Sequence, residues 1–144
     1  MSARTIRLIQ AAFLCLVVGI GAGVVFAFDR GAGALWRPLH AEANLWGAVT
    51  LLIYGMAYHM LPRFAGRPLR SERLAEGQSW AAMVGVATVL PGCLGLRGDV
   101  PGAAAIVAAG GVLQWLSALV FIYLAIDLLF LQETIHGNRQ TEKR

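Results

Sequence analysis

Three imidazoles, two thiols and one carboxylate set in apolar sequence are the groups in this chain with chemistry to offer: His40, His59, His136, Cys15, Cys93 and Asp127. A neutral imidazole ligates zinc, copper or haem iron, a thiolate is a softer ligand, and an intramembrane carboxylate pairs with a cation or relays a proton. Spacing narrows the choice. The two cysteines have no CxxC or metal-type spacing, so neither a disulfide framework nor a zinc site is indicated. His40 and His59 would stand about 28 Å apart along one helix and roughly 100° apart around it. A single helix cannot offer both to one metal.

His40 lies in "RPLHAEANLWG", residues 37–47. Read as a helix, the face below it carries Ala43, Asn44, Gly47, Leu51 and Tyr58. Ala43 and Gly47 are small, and a small-residue stripe under an imidazole leaves a shallow slot for a flat ring. Haem is the candidate, since histidine is its common protein ligand. Arg37, one turn earlier, is positioned to pair with a propionate. Glu42 and Asn44 are candidates to orient the second ring nitrogen through a water. The plain alternative is that His40 ends an interfacial helix in water while Arg37 meets a lipid phosphate. His59 and His136 are candidates for a second, inner site; against that, His59 can reach water beside Arg63, and His136 can be a solvated residue favoured by a helix C-terminus. Asp127, in "FIYLAIDLLFLQE", is expected to pair with an arginine of an inner loop rather than to relay protons. Gln114 and Trp115 read as helix-packing groups.

The elements that must position these groups follow from composition. The chain has 144 residues, 58% hydrophobic and 14% charged, where a soluble domain carries about a quarter charged. Its mean hydropathy is +0.64. Four apolar stretches, about 6–28, 38–62, 77–96 and 102–132, are each long enough for a transmembrane helix. The first is too long for a signal-peptide core and is expected to be retained. Pro38 suits a first turn, Pro62 reads as a stop, and Pro91-Gly92 weakens the end of the third span. The expected fold class is an all-α integral membrane protein, a single domain over 1–144 forming a four-transmembrane-helix bundle. GxxxG at Gly19 and Gly23 signals close helix approach.

With four spans, both termini and the second connection share a side. That side holds Arg4, Arg7, Arg63, Arg67, Arg70, Arg73, Arg139, Lys143 and Arg144; the other holds only Arg30, Arg37 and Arg97. Basic residues accumulate on the cytoplasmic side, so the expectation is N-in/C-in. The net charge of +4 is then a topology signal and not a nucleic-acid surface. A small transporter is disfavoured, because no inverted repeat or pair of interrupted helices is visible.

"WRPLHAEANLWG" and the later "YHMLPRFAGRPLRSERLAEGQSW" resemble the second span and following loop of the catalytic subunit of cbb3-type cytochrome oxidases and their nitric oxide reductase relatives, members of the haem–copper oxidase superfamily. The matching features are the Arg-Pro-Leu-His start, Trp46-Gly47, Tyr58, and Ser71-Glu72-Arg73-Leu74-Ala75 leading to Trp80. The likeness runs without a gap over 36–80 and more loosely across all four spans. It implies that His40 is an axial ligand of a low-spin haem b near the outer face. The family's later histidines are absent, so oxygen or nitric oxide reduction at a haem–metal pair is disfavoured. The family has an aromatic residue at the His59 position, so His59 inherits no role.

The resulting expectation is a b-type cytochrome of the bacterial inner membrane, both termini cytoplasmic, in contact with the lipid bilayer. Its cofactor is haem b, bound by His40, Arg37, Gly47, Ala43 and Asn44, and its work is one-electron transfer with a partner donor, acceptor or respiratory complex. A homodimer is expected, with either one haem bridged by both His40 side chains or one haem per chain against the partner. The alternatives are an accessory protein for assembling a respiratory oxidase or nitric oxide reductase, and a haem-based nitric oxide-binding protein.

Overall fold

A computed structural model of the chain describes residues 2–28 and 33–131. Within them every regular element is helical and there is no strand. Helix α1 is Ala3–Phe28. A second rod follows: α2, Gly33–Glu42; a π-helical segment, Ala43–Thr50; and α3, Leu51–Phe64. Helix α4 is Glu72–Arg97, and α5, Ala103–Ile126, runs into a π-helical turn, Asp127–Leu131.

Two of the boundaries depart from the hydropathy pattern for a local reason. Helix α4 starts before residue 77 because Ser71, in an extended conformation, accepts the Leu74 N–H at 3.2 Å and Glu72 sits in the first turn. Pro62 does not stop α3. The helix ends two residues later, where Gly66 takes φ +63° and the N–H groups of Gly66 and Arg67 bond back to the carbonyls of Arg63 and Pro62. That is the glycine-terminated pattern that satisfies the last carbonyls of a helix. At its other end α4 runs through Pro91 to Arg97, close to the expected end at 96.

The rods pair as antiparallel hairpins. A Cβ added to Gly19 would fall 2.5 Å from the Asn44 amide, and one on Gly47 would fall 2.5 Å from the Cys15 Cβ. Gly55 meets Leu8 and Ile9 in the same way, so positions descending α1 meet positions ascending the second rod. Helices α4 and α5 likewise pack along their length. There Gly85 faces Gly110 and Gln114, and Gly92 faces Val107. Backbones this close gain dispersion that lipid cannot supply.

Polarity is inverted relative to a soluble fold. Thr5, Gln78, Ser79, Gln114, Ser117 and Asp127 are buried, whereas Phe13, Leu14, Val17, Val112, Trp115 and Ile122 face outward. The buried polar groups are partnered: Tyr58 donates to Gln78 at 2.8 Å, and Gln78 donates to Ser117 at 2.9 Å. Helices α1, α4 and α5 are long and apolar enough to cross a membrane. In the second rod the π-helical segment divides the helix into pieces that individually fall short of a span. One end of the bundle is clasped by ion pairs. Arg4 bonds Glu72 at 2.8 Å, Arg7 bonds Glu76, and Arg70 bonds Asp127 at 3.0 Å. The start of α1, the α3–α4 connection and the end of α5 therefore share that end.

Candidate functional site

His40 sits on the last turn of α2, just ahead of the π-helical segment. Its Nδ1 lies 2.8 Å from the backbone carbonyl oxygen of Gly19 in α1. Two glycines make this approach possible. A Cβ on Gly23 would stand 2.8 Å from His40 Nδ1 and 2.9 Å from Cε1, and a Cβ on Gly19 would strike Asn44. The GxxxG of α1 thus forms a cradle for the imidazole and its neighbour.

The carbonyl fixes the proton. An oxygen of this kind only accepts, so Nδ1 carries a hydrogen, and in the neutral ring Nε2 then keeps its lone pair. The Asn44 amide donates to the His40 carbonyl at 2.8 Å. Its nitrogen is also 3.2 Å from Nδ1, but two donors cannot bond each other, so that distance is proximity. A backbone partner that sets tautomer and ring orientation is the usual support for a metal-binding imidazole.

Beside His40 runs a groove of about 600 Å³, lined by Ile20, Gly23, Val24, Phe26 and Ala27 of α1 and by Arg37, His40 and Ala41 of α2. Its volume is within the range of small-molecule and cofactor sites, about 300–1,000 Å³. The lining is apolar except for one imidazole and one guanidinium. These residues fit haem: a neutral nitrogen donor, a glycine cradle a side chain would fill, aliphatic walls, and an arginine on the same groove for a carboxylate.

The slot expected below His40 along its own rod is not open. Ala43 is fully buried, and the space left by Gly47 is filled by Cys15 of α1. The clearance these residues provide is spent on helix packing, which in lipid depends on small residues. The open volume lies instead along the upper part of α1. Of the predicted site residues, Arg37 and His40 line the groove, Asn44 braces His40, and Ala43 and Gly47 face the bundle. Glu42 accepts a hydrogen bond from Gln114, tying α2 to α5, and the orienting role assigned to it belongs to Gly19.

His59 is on α3, beyond the π-helical segment, where its Nε2 accepts from Arg63 Nη1 at 2.8 Å. His136 lies outside the described residues. Among the described residues no group of three or more His, Cys, Asp and Glu side chains is placed to hold a metal ion. Cys15 and Cys93 are unpaired. Asp127, 2% exposed, pairs with Arg70 as its position suggested, and that carboxylate holds the Arg70 guanidinium still more firmly protonated. Gln114 is buried, and Trp115 faces outward.

The Gly19 carbonyl is the site group that residue types do not reveal. A signal existed in the pattern: Gly19 and Gly23 are one turn apart, as are His40 and Asn44, on rods that a short connection must make antiparallel. Comparison of the chain with protein-family models, with curated proteins and with solved structures finds no match.

Proposed function

We propose that this chain is a four-span, N-in/C-in b-type cytochrome of a bacterial inner membrane, binding haem b near the outer face and passing single electrons between a donor and an acceptor. The observation that carries the reading is the His40 Nδ1 to Gly19 carbonyl bond, 2.8 Å, on the wall of an apolar groove that also holds Arg37. Haem, when bound, supplies the one-electron couple. The chain's own residues would do the rest: Nε2 of His40 would hold the iron, Gly19 would keep the ring in one tautomer, Arg37 would meet a propionate, and Ile20, Val24 and Ala27 would exclude water. Dry, aliphatic surroundings and a fixed ligand are the protein's levers on a haem potential.

Two further observations support the topology. The ten, eight and fourteen residues of α2, the π-helical segment and α3 follow one another without a break and lie against α1, so the rod as a whole is long enough to span. The clasped end carries Arg4, Arg7, Arg67 and Arg70, which fits the cytoplasmic face. A reduced-minus-oxidised visible spectrum of detergent-purified protein tests the function. Sharp split bands of a six-coordinate haem b are expected, lost in His40→Ala with helicity retained. A colourless protein from haem-replete cells, or colour indifferent to that substitution, overturns it.

A further inference from the structure

We infer that one haem is shared by two copies of this chain, held on a twofold axis between the Nε2 atoms of their two His40 side chains. This rests on the haem reading and extends it by naming the opposite axial ligand. The groove is made by only two helices, α1 and α2, and Ile20 and Val24 on it are 55% and 50% exposed. A cofactor site normally covers most of its ligand, so one copy supplies one wall and one face. The second wall must come from elsewhere.

The chain's own inventory says from where. It holds three histidines, four methionines and two cysteines. His59 is on α3, towards the clasped end, bonded to Arg63. His136 lies outside the described residues. Met56 and Met60 are on α3, beyond the π-helical segment, and Met83 lines a separate crevice with Ala11 and Leu14. Cys93 is on α4 and does not line the groove. Copies inserted by one orientation rule are parallel, and a twofold axis along the membrane normal sets each residue opposite its twin at equal depth. Among the described residues, the imidazole available at the depth of His40 is another His40. The same operation lays Ile20, Val24 and Ala41 of two copies together as the closing wall and brings two Arg37 guanidinia to one macrocycle.

The test uses full-length protein purified from haem-replete cells, with haem per chain and detergent-corrected mass by light scattering. One haem per two chains, a dimeric mass and a six-coordinate spectrum are expected. Val24→Trp and, separately, Ala41→Phe crowd the shared wall without replacing His40, Gly19 or Gly23. Each should reduce six-coordinate haem about tenfold or more and yield monomers of unchanged helicity. Co-expressing tagged wild type with untagged His40→Ala should give mixed dimers lacking the six-coordinate bands. One haem per chain, six-coordinate haem in a monomer, or wild-type spectra in both crowding variants overturns the sharing while leaving the haem reading intact. Absence of haem overturns both.

Discussion

Because a backbone carbonyl can only accept, the Gly19 oxygen at 2.8 Å dictates which nitrogen of His40 is free. That control depends on the absence of a methyl group at Gly23, where a Cβ would sit 2.8 Å from Nδ1. Gly23→Ala should therefore push the imidazole off its acceptor and weaken haem binding by about tenfold or more, read by haem titration of the detergent-solubilised protein. Gly21→Ala is the matched control, since a Cβ there meets nothing within 4 Å, and it should leave the titration unchanged. Equal effects from the two would show that helix composition, not the cradle, is at work. Arg37 faces outward on the groove, so Arg37→Gln should lower haem retention with little change in thermal stability. His40 and Arg37 could be picked from sequence because their side chains carry the chemistry. Gly19 could not, since every residue has a carbonyl and only the fold selects one.

At the level of elements, glycines divide into those that face a neighbouring backbone and those that face lipid, and the two kinds predict opposite signs. A Cβ on Gly110 would lie 2.6 Å from Val89 Cγ2 and 3.0 Å from the Gly85 carbonyl oxygen. Gly110→Ala should destabilise by about 1–3 kcal/mol through overpacking at the α4–α5 crossing. Its neighbour Gly111 meets nothing within 4 Å, so Gly111→Ala should stabilise by about 0.5–1 kcal/mol through helix propensity. Thermal unfolding in detergent reads both, and shifts of the same sign would contradict the packing. Ser71→Ala should remove the cap of α4 and lower stability by about 1 kcal/mol. The apolar stretches showed where the helices lie, because lipid selects composition. They missed starts and stops that depend on hydrogen bonds: the Ser71 cap and the turn at Gly66. The π-helical segment Ala43–Thr50 was equally hidden, since apolar residues satisfy i→i+4 and i→i+5 bonding alike. It matters because the face drawn below His40 assumed a regular helix.

Taken whole, the molecule turns its apolar surface outward, with Val17 70% exposed, and gathers charge at one end, where Arg4, 7% exposed, meets Glu72. Such a body is stable only where its sides are in hydrocarbon and its charged end reaches a headgroup layer. On the proposed topology that layer is the cytoplasmic one, from the sign of the excess. Arg4 and Arg7 of α1, Arg67 and Arg70 of the α3–α4 connection, and their partners on α4 and after α5 belong to one end, and loops rich in arginine stay in the cytoplasm. The α4–α5 connection, by contrast, is the compact turn 98–102, with Gly102 at φ +85° and no basic residue. Reporter fusions separate the two faces. A phosphatase that folds only outside the cytoplasm should be active when joined within 98–102 and inactive within 66–70, while a fluorescent protein that matures only inside should report the reverse. Activity of both phosphatase fusions would mean that α4, the helix between the two sites, does not cross, and the four-span bundle would fail. Reversed activities would leave the bundle and the groove intact but place the groove on the cytoplasmic face.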